Sequence, residues 1–142
     1  MIHSDLQIFS ARMASLAPAT GFVQAFCEQQ GVAPGGALRL TLIVEELFTN
    51  AVVHGHGGDS DAPVRIQLGV DTTQLTLCFE DRAPPFDPLQ YLAAAAPPLD
   101  APAEERRVGG LGLPLVAQMA RQFDYEHADG WNRVRLVLGR DG

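Results

Sequence analysis

The chain contains no lysine, and its 10 basic residues are all arginine. A phosphate-binding loop of the Gly-Lys-Ser/Thr type is therefore excluded, because that loop requires its lysine. Asp and Glu number 17, which gives a formal net charge of -7. An acidic chain without a basic run is a poor candidate for binding nucleic acid or an anionic membrane. We expect neither partner.

Long apolar runs and N-terminal basic residues are also missing. No apolar run is long enough to cross a bilayer,, and the N-terminus, with Asp5 and no basic region, does not resemble a signal peptide,. Cysteine is scarce: Cys27 and Cys78 are far apart in the sequence, each among apolar residues. We expect two reduced core cysteines in a cytoplasmic protein, not a disulfide or a metal site.

The residues that are present are those of one folded domain. Hydrophobic residues make up 46% and charged residues 19%, proportions that distinguish a globular chain from a disordered one,. A length of 142 residues most simply corresponds to a single domain over residues 1–142,.

The periodicity of the hydrophobic residues predicts alternating strands and helices. Strand patterns occupy residues 4–13, 64–70, 75–80, 124–128 and 131–138. Helix patterns occupy residues 18–30, the stretch between Gly36 and Gly55, and residues 113–123. This order predicts an α+β fold: a two-layer α/β sandwich with a mixed, mostly antiparallel sheet and helices on one face.

Apolar residues of the second helix recur at the spacing of one helix face. They are Leu40, Ile43, Val44, Leu47, Phe48 and Ala51. At about 100° per residue, Glu45 falls opposite this stripe and is expected to face solvent, whereas Glu46 and Asn50 lie together on its flank. An acid and an amide one turn apart can hold a hydrated divalent cation and orient a nucleophile. The alternative is that both only solvate the helix flank.

Asp81 ends a predicted strand just before a proline-rich segment. A carboxylate placed there can accept a hydrogen bond from a ligand, such as an exocyclic amine, but aspartates also end strands without binding anything. The residues that follow are rich in proline and alanine, and a cluster of charged residues comes after them. Long irregular segments inside a compact domain are usually lids or disordered, and we predict a lid over about residues 82–108.

Gly109-Gly110-Leu111-Gly112 opens the third predicted helix. Glycine lets the backbone approach a ligand closely, and the free amides at a helix N-terminus attract phosphate. The spacing is not that of a dinucleotide-binding fingerprint. The segment therefore predicts either a phosphate-binding turn or a flexible hinge.

In this order, three segments resemble the N, G1 and G2 boxes of the GHKL (Bergerat-fold) ATPases, and most closely those of the anti-sigma-factor serine kinases. They are Glu45-Glu46-Leu47-Phe48-Thr49-Asn50-Ala51-Val52-Val53-His54-Gly55, Asp81-Arg82-Ala83-Pro84-Pro85-Phe86-Asp87-Pro88 and Gly109-Gly110-Leu111-Gly112-Leu113. The resemblance extends over most of the chain, from residue 5 to residue 138. It implies ATP and Mg²⁺ as cofactors.

The resemblance also implies roles for the three polar candidates. Glu46 would be the general base that takes the proton from a protein serine hydroxyl. Asn50 would bind the Mg²⁺ that bridges the ATP phosphates. Asp81 would bind the adenine amino group.

Further positions follow from the same resemblance. Gly109, Gly110 and Gly112 would give the phosphates room. Arg107 would face the terminal phosphate, a task for which arginine is suited by its charge and fork of donors; otherwise it is a solvated lid charge. Asn132 falls near a polar position that contacts the adenine region.

The implied activity is that of a serine kinase acting on a STAS-type anti-anti-sigma protein. In the family, the unphosphorylated partner competes with a sigma factor for the kinase, and a homodimer is possible on the same grounds. The catalytic fragment of a histidine kinase is disfavoured, because no helical hairpin with a phosphoacceptor histidine precedes the first strand.

The chain departs from the family pattern at Ala83, which replaces the G1 glycine. A methyl group there could crowd the adenine, which leaves open a non-catalytic module that only sequesters a regulator. His54 and His56 lie at a helix end, where their spacing does not bring them together well. We expect His54 to be a capping or partly buried residue and His56 to lie in a loop, rather than a metal site.

Overall fold

The computed structural model describes residues 2–89 and 113–140. The strands are β1 His3–Ser10, β2 Pro63–Val70, β3 Gln74–Asp81, β4 Gln122–Ala128 and β5 Trp131–Gly139. The helices are α1 Leu16–Gln29, α2 Pro34–Thr49 and α3 Leu113–Met119, and α2 continues as a π-helical turn over Asn50–Gly55. None of these helices combines the length and the apolar character needed to cross a bilayer.

The strands form one sheet in the order β1-β2-β3-β5-β4. Every neighbouring pair in the described ranges is antiparallel. Buried residues of the three helices share one hydrophobic core with one face of the sheet. The α+β fold class and the two-layer architecture predicted from the sequence are therefore confirmed. The register of the two central strands sets Asp81, the last residue of β3, opposite Asn132 near the start of β5.

The core lies between the helices and the covered face of the sheet. Alternate residues of β2, β3 and β5 are buried there: Val64, Ile66, Leu68, Leu75, Leu77, Phe79, Val134, Leu136 and Leu138. All six residues of the predicted stripe, five on α2 and Ala51 on the π-helical turn, are buried as well. The Phe48 ring meets the Phe79 ring edge-on, with centroids 6.4 Å apart. The 3.6-residue period of the helix and the two-residue alternation of the strands therefore identified the faces that form the core.

The first strand differs from its prediction. It ends at Ser10 rather than near residue 13, because the chain turns through a short 3₁₀ helix, Met13–Ser15, into α1. It is an edge strand, and its Leu6 and Ile8 side chains are 46% and 58% exposed. Phe9 alone of this strand is buried, and its ring lies 6.2 Å from that of Phe22 on α1.

The last helix is shorter than predicted. It ends at Met119, and Phe123 belongs to β4, where it pairs with Leu136. The backbone N–H of Arg121 already donates to the Val137 carbonyl at 2.7 Å. At that point hydrogen bonds to the sheet replace those of the helix. The apolar residues of this segment do not show where that change occurs.

The two cysteines occupy different environments. Cys27 is buried in α1, as predicted, but Cys78 is only partly buried because it points to the uncovered face of the sheet, opposite Arg135. The prediction of a core position is therefore wrong for Cys78. Both thiols are free, and burial raises the pKa of each.

The β2–β3 turn is organised by one carboxylate. Asp71 Oδ1 accepts hydrogen bonds from the backbone N–H groups of Thr73 at 2.9 Å and Gln74 at 2.8 Å. An aspartate that accepts from the backbone two and three residues later is a common way to fix a tight turn. These hydrogen bonds, that from Thr73 first, lower the pKa of Asp71.

Replacing Asp71 by asparagine should lower the free energy of unfolding near neutral pH and have little effect in acid. Asparagine keeps an acceptor oxygen for the same two amides but removes the charge. Because the folded-state pKa of Asp71 is lowered, the stabilisation is present above the unfolded value of about 3.9 and is lost as the pH falls through the folded value. Urea unfolding of wild type and Asp71→Asn between about pH 3 and pH 7 measures the difference. A difference that does not change with pH would contradict this account.

Candidate functional site

A cavity of about 430 Å³ opens where the end of α2 faces the ends of β3 and β5. Its walls are largely apolar, and five polar side chains reach it: Asn50, His54, Asp81, Tyr125 and Asn132. The proline-rich segment after β3 forms one side, and Leu113 of α3 another. Largely apolar cavities with a few polar groups are the usual form of a small-molecule site.

Asn50 lies at the junction of α2 and the π-helical turn. Its backbone N–H donates to the Glu46 carbonyl, so the two residues share one helix face, as predicted. Asn50 lines the cavity, and its Nδ2 atom is buried without a hydrogen-bond partner in the described part of the chain. Buried donors are rarely left unpaired. An acceptor bound in the cavity would satisfy it.

Glu46 lies beside the cavity rather than in its wall. Glu45 and Glu46 are both partly buried, so Glu45 is less exposed than predicted and exposure does not separate the two acids. Helix phase does separate them, because only Glu46 stacks one turn before Asn50. The structure therefore places the acid and the amide on one face, with only the amide lining the cavity.

The end of the helix widens at Asn50. The backbone N–H of His56 donates to the Ala51 carbonyl at 2.9 Å, a bond between residues five apart that is typical of a π turn,. His54, which was predicted to be a capping or partly buried residue, is exposed at the cavity. His56 follows the turn, and the two do not join other His, Cys, Asp or Glu side chains of the described ranges in a group that could hold a metal.

Asp81 occupies the predicted position at the end of β3 and lines the cavity. Its Oδ1 atom accepts two hydrogen bonds, from the backbone N–H of Ala83 at 2.9 Å and from Nδ2 of Asn132 at 3.0 Å. Within residues 2–89 and 113–140, Oδ2 has no hydrogen-bond partner. The carboxylate is thus anchored by one oxygen and has a second acceptor available to a ligand.

Asn132 has a larger part in the site than the sequence indicated. It is 3% exposed, and its Nδ2 atom also faces the carbonyl oxygens of Ala83 at 2.9 Å and Pro84 at 3.2 Å. Its Oδ1 atom accepts from the Phe86 N–H at 3.3 Å and from the Tyr125 hydroxyl. The sequence did carry a signal, because Asn132 is a polar residue in the same phase of β5 as the buried residues Val134, Leu136 and Leu138.

Contacts on the opposite face of the sheet also involve the end of β3. The Arg82 guanidinium lies 4.8 Å from the centroid of the Trp131 ring, and that of Arg65 lies 5.2 Å from it. Cation–π contacts at these distances are attractive. Trp131 and Asn132, adjacent on β5, therefore hold the end of β3 from its two sides.

Ala83, which replaces the G1 glycine of the resembled family, is 4% exposed. Its methyl group points at the end of the π-helical turn, where a Cβ added to Gly55 would lie 2.8 Å from the Cβ of Ala83. The missing side chain of Gly55 thus makes room for the methyl group. Ala83 still forms part of the cavity wall.

Several predicted site residues lie outside the described residues. These are Arg107, Gly109, Gly110 and Gly112, together with residues 90–108 of the predicted lid. Their roles remain predictions from the sequence.

Comparisons with known proteins identify the family and agree with the fold. Residues 9–138 match the sequence profile described as a histidine kinase-like ATPase domain. The chain is also similar to the crystal structure of the RsbU and RsbW domains of Rv1364c from Mycobacterium tuberculosis, with a TM-score of 0.66 and 14% sequence identity. That likeness, which shows the fold alone, covers 99% of this chain and 34% of the other, so the chain spans about a third of that neighbour's length. No protein of curated function matches the sequence.

Replacing Gly55 by alanine should destabilise the protein by about 1–3 kcal/mol, because the new Cβ overpacks against a methyl group that is itself buried. Adding Ala83→Gly to the Gly55→Ala variant removes that methyl group. This double variant should recover most of the lost stability. Urea unfolding of the wild type, the two single variants and the double variant measures the coupling.

The control for this cycle is Gly21→Ala in α1, since a Cβ added to Gly21 meets no atom within 4 Å. This variant should not be destabilised, because alanine favours a helix more than glycine does. If the Gly55 and Ala83 substitutions simply add, the two residues do not share the contact described above.

Proposed function

The chain belongs to the histidine kinase-like ATPase domain family, the GHKL ATPases, and from this we propose that it is an ATP-binding anti-sigma regulatory factor. In this proposal it acts as a serine-protein kinase on a STAS-type anti-anti-sigma protein, which competes with a sigma factor for it. The observation that carries the proposal is one cavity lined by both Asn50 and Asp81. Among the described residues, the amide donor of Asn50 and the Oδ2 acceptor of Asp81 have no partner.

Asp81 is the proposed contact for the base of the nucleotide. An ionised aspartate only accepts hydrogen bonds, and the exocyclic amine of adenine only donates them. The apolar walls nearby, which include Phe79, Ala83 and Val134, suit the faces of a flat ring,. Because Ala83 packs against Gly55, its methyl group forms part of this wall without closing it.

Asn50 is the proposed protein ligand of Mg²⁺. This ion prefers oxygen ligands, retains several waters and often binds through only one or two side chains together with substrate phosphates. The amide oxygen of Asn50 meets that need, and its unpaired Nδ2 donor can serve a phosphate oxygen. The amide oxygen of Asn50 is therefore a suitable ligand for Mg²⁺. When bound, the ion supplies charge neutralisation at the phosphates.

Glu46 is the proposed general base. The serine hydroxyl oxygen bonds to the γ-phosphorus as the bond between that phosphorus and the bridging oxygen of ADP breaks, and the hydroxyl proton passes to the Glu46 carboxylate. Phosphoryl transfer depends on positioning and charge more than on covalent chemistry. Glu46 lies one helical turn from Asn50 and is partly exposed, so a protein substrate can reach it.

The remaining parts of the proposal rest on the sequence resemblance. In the proposal, Arg107 would face the terminal phosphate, and Gly109, Gly110 and Gly112 would give the phosphates room. The same resemblance supports a regulator that can form a homodimer, and the two widely separated cysteines support a cytoplasmic location,. The net charge of -7 favours regulation through protein contacts over direct binding of nucleic acid,.

One observation favours a second candidate, a module of the same fold that binds a regulator without transferring phosphate. Glu46 is not among the described residues that line the cavity, so a nucleotide bound there need not contact it. A chain with this cavity can therefore bind ATP and sequester a partner while performing no chemistry.

Replacing Glu46 by glutamine should reduce phosphoryl transfer by a factor of about 10² to 10⁴, the usual contribution of a general base. ATP affinity should remain within a few-fold of wild type, because Glu46 lies outside the cavity wall. Transfer of labelled phosphate to the STAS-type protein encoded nearest to this chain is the measurement. Glu45→Gln is the matched control and should retain activity. If the wild type binds ATP and that protein tightly yet transfers nothing, the sequestering module is the correct function.

Replacing Asn50 by alanine should weaken ATP binding by about 10-fold when Mg²⁺ is present, because one oxygen ligand is lost. In EDTA the two proteins should differ much less. Calorimetric titration under both conditions separates the role in metal binding from a change in cavity shape. Equal weakening under both conditions would argue against Asn50 as the ligand.

A further inference from the structure

The side chain of Asn132 forms all of its hydrogen bonds inside the protein. Its two polar atoms face five partners in all, and only 3% of the residue is exposed. It lines the cavity, but every partner lies in the strand end and loop after β3 or on β4. Asn132 therefore acts on a ligand through its neighbours.

The orientation of the Asn132 amide is determined by these partners. Two donors face its Oδ1 atom, the Phe86 N–H and the Tyr125 hydroxyl. Burial, followed by the nearby charges of Asp87 and Asp81, raises the pKa of Tyr125, which keeps its proton at neutral pH. Three acceptors face Nδ2, so a rotated amide would set its oxygen against these acceptors and its NH2 group against the Phe86 N–H donor,.

This fixed amide also orients Asp81. Oδ1 of Asp81 is held by Nδ2 of Asn132 at 3.0 Å and by the Ala83 N–H at 2.9 Å. Two donors on one oxygen restrict rotation of the carboxylate, so the position of Oδ2 is fixed as well. A carboxylate held in this way can discriminate between an amine and a carbonyl at the same place on a purine.

We propose that Asn132 is a positioning residue that makes the cavity selective for a purine with an exocyclic amine over one with a carbonyl group. It does so by presenting Oδ2 of Asp81 as a fixed acceptor. This inference rests on the proposed binding of ATP. It extends that proposal by assigning base selectivity to β4 and β5, because Tyr125 and Asn132 hold the carboxylate that makes the contact.

The test compares the binding of ATP with that of inosine triphosphate, which has a carbonyl group in place of the amine. Calorimetric titration in Mg²⁺ gives both dissociation constants. The wild type should prefer ATP by about 10-fold or more, since a carbonyl group would leave the acceptor unpaired. Asn132→Ala should reduce that preference by about 10-fold, mainly through weaker ATP binding, while the inosine nucleotide changes little.

Tyr125→Phe provides a milder second variant. It removes one donor to Asn132 Oδ1 and leaves the contacts of Nδ2 in place. A smaller reduction of the preference, about two- to five-fold, is expected. Arg135→Ala is the control, since Arg135 is exposed on the other face of β5, and it should retain the full preference.

The outcomes separate this inference from the proposed function. A wild type that does not bind ATP would overturn the proposed function itself. A wild type that prefers ATP, with Asn132→Ala retaining the preference, would overturn the positioning role alone. So would an equal loss of affinity for both nucleotides, which is what a merely structural residue produces. If Asn132→Ala does not fold, an unchanged preference in Tyr125→Phe overturns the role.

Discussion

The hydrogen bond between Asn132 and Asp81 joins the two central strands where the sheet meets the cavity. The same amide also faces the carbonyls of Ala83 and Pro84 and accepts from the Phe86 N–H. Hydrogen bonds to charged groups contribute about 1.5–3 kcal/mol each, and loss of one partner leaves the others unpaired in a buried place. One side chain therefore determines the path of the loop and the direction of the carboxylate together.

The second wall of the cavity is tied to the same loop. Ala83 accepts a hydrogen bond from Asn132 through its carbonyl and donates one to Asp81 through its N–H, while its methyl group meets Gly55 at the end of the π-helical turn. The helix that carries Asn50 is thereby positioned against the strand that carries Asp81. Ala83 replaces a family glycine, and Gly55 lies opposite it without a side chain. The packing of the Ala83 methyl group against Gly55 therefore sets the distance between the helix wall and the strand wall of the cavity.

Local sequence patterns predicted the individual residues of the site. Contacts between residues distant in the sequence bring those residues together. The helix face of Glu46 and Asn50, the core stripe beside them and the strand end at Asp81 follow from periodicity alone. The bond between Asp81 and Asn132 depends on β3 and β5 being neighbours in the sheet, across 51 residues of sequence. The end of α3 and the outward side chains of β1 also depend on strand pairing, which no local pattern specifies.

The placement of Glu46 beside the cavity is compatible with both proposed functions. A base that serves a serine on another protein must be accessible to that protein, whereas the ligand of a nucleotide-bound cation must lie where the phosphates are. One helical turn, about 5.4 Å, separates the partly exposed acid from the amide that lines the cavity,. The same helix can thus hold the nucleotide with one residue and act on a docked hydroxyl with another. In the proposal, the kinase and the sequestering module therefore share one nucleotide site and differ only in whether Glu46 accepts a proton from a docked serine.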